Sequence, residues 1–205
     1  MGLHQGDSSR HQSLGFAAWV VPIAVLSCAI IIAIPGDAGR IWLSYDRPEI
    51  AAGELWRLLS GHFVHLGITH LLWDAAGFLL VWYLVGHSFG RMQWVIVLLV
   101  TIVGIDLGFW FLEPNLSWYV GLSGLVHGLL AAGIVGSLKS GRVDMWILGA
   151  ALIGKLAYEA LVGPLPGSEQ SSGGTVIVAA HVYGAVAGAI AAGVILIRVR
   201  AKASI

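Results

Sequence analysis

The chain has 205 residues, of which 58% are hydrophobic and 11% are charged, whereas soluble proteins carry about 25% charged residues. This composition excludes intrinsic disorder, a collagen-like chain and a soluble enzyme, and it indicates a membrane protein. Lys plus Arg equals Asp plus Glu at 11 each, so the chain lacks the basic excess with which proteins bind nucleic acid. The single cysteine, Cys28, cannot form an internal disulfide.

Six long apolar runs predict six transmembrane helices. A helix needs about 20 apolar residues to cross about 30 Å of hydrocarbon, and runs of this length lack the alternation of membrane β-barrel strands. We therefore predict an all-α, polytopic protein that forms a single membrane domain over residues 1–205. The predicted helices cover residues 16–34, 68–85, 92–112, 119–138, 143–162 and 175–199.

The first apolar run and the connection after it predict a retained helix followed by an interfacial loop. The run continues to Ile34, which makes it longer than the 7–15-residue core of a cleaved signal peptide. The first loop, residues 35–67, contains Trp42, Tyr45 and Trp56, and aromatic side chains of this kind favour the headgroup level of a bilayer.

The distribution of cations predicts that both termini lie in the cytoplasm, because cytoplasmic loops carry an excess of Lys and Arg. One side of the membrane receives Arg10, Arg91, Lys139, Arg142, Arg198, Arg200 and Lys202, whereas the other side receives Arg40, Arg47 and Arg57. The first loop therefore faces outward. Residues 167–174 are rich in Gly and Ser, and we predict a flexible fifth loop there, a candidate lid.

Several polar side chains inside the predicted helices share one depth. Asp74, Ser123 and His181 each follow the outer start of their helix by about four to six residues, on the order of 6–9 Å at 1.5 Å per residue. His70 lies slightly above them, and His127 lies one turn below Ser123 on the same helix face. Polar groups are costly inside a membrane and by default mark function, so this layer predicts a water-accessible cavity that opens outward.

A serine and a histidine at one depth are the minimum for nucleophilic catalysis, since a histidine can accept the hydroxyl proton. In Gly121-Leu122-Ser123-Gly124 the glycines allow close approach of another backbone or a substrate carbonyl. The start of a helix also offers unpaired N–H groups to an oxyanion. His181 precedes Gly184 and Gly188, a spacing that permits tight helix packing, and packing on the fourth helix would bring it to Ser123. The alternative is a serine that only bonds the preceding turn.

These motifs resemble the rhomboid intramembrane serine proteases, over roughly residues 56–188. The matching segments are Gly121-Leu122-Ser123-Gly124, Ala180-His181-Val182-Tyr183-Gly184 with Gly188, and Trp56-Arg57 followed by His65 and His70-Leu71-Leu72-Trp73-Asp74. Residues 118–128 and Lys155-Leu156-Ala157-Tyr158-Glu159 are similar to the bacterial rhombosortase branch in particular.

The resemblance implies a six-helix rhomboid-like bundle with Ser123 as nucleophile and His181 as general base and acid, without a third carboxylate. It also implies oxyanion donors from the Ser123 backbone, from His70 and from the position of Asp74. Most rhomboids have asparagine at that position, and an ionised aspartate cannot donate a hydrogen bond. Either Asp74 is protonated, or it serves elsewhere, for example by bonding a histidine. His127 also departs from the family, which often has tyrosine there, and a simple packing histidine is the alternative reading.

The rhombosortase resemblance further implies the substrates and the location. The implied substrates are exported proteins with a Gly-Gly-containing C-terminal sorting tail, a membrane helix and a basic cluster. The active site would face the periplasm from the bacterial inner membrane, among membrane lipids, and a phosphoethanolamine-type lipid is a candidate acceptor of the cleaved end. Glycine at the scissile site is physically reasonable because it weakens a helix by about 1 kcal/mol. No cofactor and no nucleic-acid partner is implied.

Lys155 and Glu159 stand four residues apart on one face of the fifth predicted helix. An unpaired charge there would cost several kcal/mol, so we predict a mutual or cross-helix ion pair, with Asp106 as a candidate partner. The alternative is a contact with the substrate terminus or a lipid headgroup. His65, His127 and Tyr183 complete the candidate lining of the site.

Two other function classes compete with proteolysis. His62, His65, His70 and Asp74 fall within thirteen residues and are all plausible zinc ligands, but only His70 and Asp74 share a helix face and no H-E-x-x-H motif occurs. We therefore predict no metal centre. The second alternative is a catalytically silent relative of the rhomboids that binds transmembrane segments as a scaffold.

Overall fold

The computed structural model describes residues 19–203, which are mostly helical. In chain order the elements are α1 (Val20–Ala33), α2 (Asp37–Leu43), β1 (Tyr45–Asp46), α3 (Arg47–Ala51), α4 (Arg57–Ser60), α5 (Ile68–Val85), α6 (Arg91–Leu112), β2 (Trp118–Tyr119), α7 (Ser123–Ser137), α8 (Val143–Leu161), α9 (Ser168–Ser172) and α10 (Val178–Ala203). The predicted start of the first helix at residue 16, and Arg10, lie outside the described residues.

Among the described helices, three are long and apolar enough to cross a membrane, namely Ile68–Ser88, Arg91–Leu112 and Val178–Lys202. Helices α1 and α2 count as a fourth only if they form one span bent by 115°. Helix α7 has 15 residues, and α8 carries three charged residues among its 19. The all-α, multi-pass fold class is confirmed, whereas the six-span count and the cytoplasmic termini stay predictions.

The outer surface of the bundle is apolar, as expected for a protein surrounded by lipid. On α8, for example, Ile147, Ile153 and Leu161 are all exposed, and the exposed surfaces of α5 and α6 also carry large apolar side chains. Soluble proteins rarely expose contiguous apolar patches of this kind, so the exposed faces support a membrane environment.

Helix α7 lies at the centre of the bundle and contacts α5, α6, α8 and α10. Its Leu125 and Leu129 are fully buried, as are the facing Phe78 of α5 and Ile105 of α6. Because α7 is shorter than the helices around it, its first residue lies inside the bundle and not at its surface. This placement positions Ser123 in a sheltered site.

The first loop is more structured than a simple interfacial segment, because residues 35–67 contain α2, β1, α3 and α4. Trp42 and Trp56 are exposed with ring centroids 5.9 Å apart, in agreement with an interfacial position. The prediction is wrong for Tyr45, which is 1% exposed and packs edge-on against Phe109. Pairing of β1 with β2 turns this side chain into the core.

Two arginines hold the first loop, Arg57 within the loop itself and Arg47 against the bundle. The Arg57 guanidinium donates to Glu54 Oε2 at 2.6 Å and to the Ser44 carbonyl at 3.0 Å. The Arg47 guanidinium donates to the carbonyls of Phe109 and Glu113 at the C-terminal end of α6, where helix carbonyls lack backbone partners. The loop is therefore held against the segment that leads into α7.

Candidate active site

The segment before α7 changes from a strand into a helix at Ser123. Strand β2 pairs antiparallel with β1, and Tyr119 lies opposite Tyr45. Helix α7 consequently begins four residues later than the predicted start at residue 119. Gly121 has φ +128°, a conformation that residues with a Cβ rarely adopt, and a Cβ there would also lie 3.2 Å from the His70 ring. The turn into the helix thus requires glycine.

Two hydrogen bonds hold this turn. The buried Tyr119 hydroxyl donates to the Gly121 carbonyl at 2.7 Å, and burial raises the pKa of the Tyr119 phenol above its ordinary value, so it remains a donor. The Leu122 N–H donates to Asp74 Oδ2 at 2.8 Å. Ser123 is then the first residue of α7, and N–H groups in the first turn of a helix have no partner within that helix.

Glycines bring α10 into backbone contact with α7. A Cβ at Gly184 would collide with the Gly124 carbonyl, and one at Gly188 would collide with the Gly128 carbonyl. These two contacts are one helical turn apart on both helices, so they fix the rotation of α10 as well as its distance. The structure agrees with the sequence expectation that small residues let these two helices meet.

The close approach places His181 Nε2 3.0 Å from Ser123 Oγ. His181 is 4% exposed, and its ring stacks on that of His127 with centroids 4.1 Å apart and planes inclined by 17°. His127 Nδ1 lies 2.7 Å from the Ser123 carbonyl oxygen. Since that oxygen can only accept, His127 Nδ1 carries the proton. His127 therefore supports both members of the pair through packing and one hydrogen bond.

On the other side of the His181 ring lie two charged residues of α8. Glu159 Oε2 is 2.9 Å from His181 Nδ1, and Lys155 Nζ donates to Glu159 Oε1 at 2.7 Å. The predicted ion pair between Lys155 and Glu159 is present. Asp106, the predicted cross-helix partner, is not part of it and instead lies 3.2 Å from His62 Nε2, because α6 turns this carboxylate toward the first loop.

Asp74 occupies the opposite side of the serine, between two histidines. Its Oδ2 lies 3.2 Å from His65 Nε2 and 3.3 Å from His70 Nε2, in addition to accepting the Leu122 N–H. His70 Nδ1 accepts the Leu66 N–H at 3.3 Å, so its proton is on Nε2. The hydrogen bond from Leu122 is a contact of the kind considered in the second role for Asp74, in which the carboxylate serves elsewhere than the oxyanion.

These groups line a cavity of about 170 Å³. Seven of the predicted site residues contribute to it, namely His70, Asp74, Ser123, His127, Lys155, Glu159 and His181. The remaining four candidates lie outside its lining. Gly121 and Gly124 shape the backbone next to Ser123, and His65 is buried behind Asp74.

Tyr183 does not line the cavity, contrary to the sequence expectation. Its ring lies against Gly108 of α6, and its hydroxyl donates to Glu113 Oε1 at 2.8 Å. Tyr183 follows His181 by two positions, and residues two apart on a helix project in different directions, so the two side chains cannot serve one site. Tyr183 connects α10 to the end of α6.

Sequence reasoning missed the hydroxyl groups that cover the cavity. Ser168, Ser171 and Ser172 of α9 and the nearby Thr175 contribute to its lining. The Gly/Ser-rich composition predicted a flexible loop without a helix, whereas α9 contacts α5 above the site. The serine hydroxyls donate to carbonyls within their own segment, a local pattern that a composition rich in Ser also favours.

The metal-binding set suggested by the sequence is not assembled, because His62 faces Asp106 while His65 and His70 face Asp74. In the described part of the chain a different group, His127, Glu159 and His181, has ligand atoms within 4.8 Å of one another. The Lys155 ammonium lies against two of these three side chains, so a cationic group of the protein already neutralises the carboxylate.

The chain is similar to known proteins over most of its described length. The chain matches the rhomboid domain over residues 52–198. It is 26% identical to the rhomboid protease GlpG of Salmonella choleraesuis (strain SC-B67) and 27% identical to that of Salmonella paratyphi A (strain ATCC 9150 / SARB42), in each case over 126 residues, or 60% of this chain. The aligned region spans 44% of each relative, which is less than half of its length.

The rhomboid match covers more than two thirds of the chain, including α5 to α9 and most of α10, and it contains every residue that lines the cavity. This chain is therefore a member of the rhomboid family.

Proposed function

We propose that this protein is an intramembrane serine protease in which Ser123 is the nucleophile and His181 is the general base and acid. The observation that carries the proposal is the 3.0 Å contact between His181 Nε2 and Ser123 Oγ in a sheltered cavity. Activation of a weak nucleophile requires a base within hydrogen-bonding distance of it. A scaffold that only binds transmembrane segments would have no need of such a contact.

In the proposed reaction, Ser123 Oγ bonds to the scissile carbonyl carbon while its proton passes to His181 Nε2. The tetrahedral intermediate collapses, the C–N bond breaks, and His181 returns the proton to the leaving amine. A water molecule then attacks the acyl-enzyme by the same route and releases the new carboxyl end. The Ser123 N–H and the His70 Nε2–H are the proposed donors to the oxyanion, and the His70 N–H would turn to it from Asp74 Oδ2, which lies 3.3 Å away in the resting site.

We further propose that the substrates resemble those of rhombosortases, with Gly-Gly-containing C-terminal tails on transmembrane proteins. The cavity beside Ser123 is small, at about 170 Å³, and we expect it to accept glycine at the cleavage site more readily than larger residues. Glycine also makes it easier to unwind a helix, by about 1 kcal/mol per residue, before its carbonyl can be attacked.

The proposed location is the bacterial inner membrane, with the cavity facing the periplasm and protein sorting as the biological role. Apolar helices and an apolar outer surface support a multi-pass membrane protein, and the excess of cations at the opposite side supports the orientation. Surrounding lipids would contact the exposed faces. A phosphoethanolamine-type lipid with a free amine is the proposed alternative to water as acceptor of the acyl group.

A labelling and cleavage assay tests the proposal. Detergent-purified protein should react with a fluorophosphonate probe and cleave a Gly-Gly tail substrate, and Ser123→Ala should lose both reactions. Unchanged labelling in Ser123→Ala would overturn the assignment of the nucleophile, and absence of both reactions from the parent protein would favour the scaffold. Loss of cleavage with a chelator would favour a metal enzyme instead.

The substrate and the acceptor need two additional measurements. Replacement of Gly-Gly by Val-Val in the tail should reduce cleavage, whereas equal cleavage of both tails would remove the rhombosortase-like specificity. Product mass analysis in phosphatidylethanolamine vesicles distinguishes hydrolysis from transfer to a lipid amine, because only transfer adds the mass of the lipid.

A further inference from the structure

Glu159 is a buried carboxylate on a helix that is otherwise little buried. Among the described residues of α8, only Met145, Leu152 and Glu159 are buried, and Glu159 is 3% exposed. Its two oxygens have separate partners, Oε2 facing His181 Nδ1 at 2.9 Å and Oε1 accepting from Lys155 Nζ at 2.7 Å. Helix α8 therefore places one carboxylate next to His181, the base of the proposed reaction.

The position of the protons on His181 follows from its contacts. To accept the Ser123 hydroxyl proton, Nε2 must be unprotonated, so the neutral ring carries its proton on Nδ1. That N–H is aimed at Glu159 Oε2, the nearest acceptor. Lys155 Nζ lies 3.5 Å from the same nitrogen. An ammonium group cannot donate to a nitrogen that already bears a proton, so Lys155 donates to Glu159 instead.

The ring of His181 is consequently fixed on three sides. Ser123 contacts Nε2, Glu159 contacts Nδ1, and the His127 ring covers one face. An ion pair with Lys155 alone would stabilise a buried carboxylate without using an imidazole. Here the carboxylate divides its two oxygens between the ammonium and the histidine, which is the arrangement that orients a base.

We propose that Glu159 is the third member of a Ser123–His181–Glu159 triad, with Lys155 holding the carboxylate in place. This inference rests on the proposed protease function and changes its mechanism from a dyad to a triad. Glu159 is a positioning residue. It keeps the proton of His181 on Nδ1 and stabilises the imidazolium that forms when Ser123 attacks, as the carboxylate does in triads of soluble serine proteases.

Glu159→Gln is the first test, since it keeps the shape of the side chain and removes its charge. We expect kcat for the tail substrate to fall at least tenfold with the KM close to that of the parent protein, and the melting temperature to fall because Lys155 loses its counter-charge. Loss of the charge from the triad of a soluble serine protease lowers kcat by about 10⁴. Gly154→Ala on the same helix is the matched control, because a Cβ there meets no atom within 4 Å.

A second variant separates the triad from a purely structural ion pair. Glu159→Gln alone leaves Lys155 without its counter-charge, whereas the double variant Lys155→Met with Glu159→Gln removes both charges and should restore the melting temperature. If the pair is only structural, activity returns with stability. If Glu159 positions His181, the double variant stays at least tenfold below the parent protein in kcat while it is as stable.

The outcomes separate the two proposals. If the parent protein is labelled by a fluorophosphonate and Ser123→Ala is not, the protease function stands, and the variants then report on the triad alone. Recovery of kcat in the double variant to within tenfold of the parent overturns the triad and leaves the dyad. A parent protein that neither reacts nor cleaves overturns the protease function itself, whatever the Glu159 variants show about stability.

Discussion

Helix α7 is held by its neighbours in two different ways. On one side α10 touches it through the backbone, where Gly184 and Gly188 lie against the carbonyls of Gly124 and Gly128. On the other sides, α5 contributes Asp74, whose carboxylate accepts the Leu122 N–H just before α7, and α8 contributes the buried Glu159, whose carboxylate faces His181 beside Ser123. The first contact depends on shape, and the other two depend on charge and hydrogen bonding.

The difference teaches how the proposed site divides its tasks. Backbone contact cannot adjust to an added methyl group, so it sets the distance between Ser123 and His181 rigidly. Polar contacts tolerate a change of side chain if the hydrogen bond is kept. In the proposed site they set which nitrogen of His181 carries the proton, and they hold the turn before Ser123. Substitutions on the two kinds of contact should therefore have different effects.

Gly184→Ala should have the largest effect. Its Cβ would collide with the Gly124 carbonyl, and overpacking of this kind costs about 1–3 kcal/mol. The added methyl group would also push α10 away from α7 and so increase the distance between His181 and Ser123. We therefore expect cleavage to fall at least a hundredfold and the melting temperature to fall by several degrees. Gly193→Ala on the same helix is the control, since a Cβ there meets nothing within 4 Å. Equal effects of the two variants would contradict the shape-dependent contact.

Asp74→Leu should have the next largest effect, because it removes the acceptor of the Leu122 N–H. The turn would no longer hold Ser123 in place, and we expect cleavage to fall about a hundredfold, the range for losing a group that organises an oxyanion site. Asp74→Asn keeps an acceptor oxygen, and cleavage should remain within tenfold of that of the parent protein. A similar loss in both variants would mean that the charge of Asp74, and not its hydrogen bond, is required.

His127→Ala should have a moderate effect. It removes the ring that stacks on His181 and the hydrogen bond to the Ser123 carbonyl. Aromatic pairs contribute about 0.5–1.5 kcal/mol, which corresponds to about tenfold in rate at the upper end. His127→Phe restores the ring without the hydrogen bond and should recover most of the activity. If Phe is no better than Ala, stacking is not the contribution of His127.

Gly154→Ala should have the smallest effect, because α8 at this point faces open space. We expect cleavage and melting temperature to stay close to those of the parent protein, within the range of about 0.5 kcal/mol typical of surface substitutions. The measurement is the same thermal scan and tail assay. A large loss would mean that α8 also depends on close backbone packing, and the contrast with α10 would no longer hold.

Much of the site could be predicted from the chain because its chemistry is local. The Gly-x-Ser-Gly segment, the spacing of His181 from Gly184 and Gly188, and the four-residue spacing of Lys155 and Glu159 are all visible in the sequence. Helical periodicity then assigns residues to faces. The same reasoning failed for Tyr183, since membership of a motif does not determine the direction of a side chain.

The fold could be predicted at the level of its helices and less well between them. Apolar runs located the long helices near their described bounds. The strand pair that delays the start of α7 to Ser123, and buries Tyr45, joins residues more than seventy positions apart. Such pairing leaves little local signal, because two-residue strands are too short to show an alternating pattern.

The sequence by itself determined that this is a membrane protein with rhomboid motifs, and it predicted which hydroxyl and imidazole groups share one depth. Only the tertiary structure decided which histidine faces which partner: His181 faces Ser123 and Glu159, His70 faces Asp74, and His62 faces Asp106. The physical reason is that periodicity fixes the faces of each helix, whereas the distance and rotation between helices arise from packing. At α7 and α10 that packing comes from glycines whose contacts exist only in three dimensions.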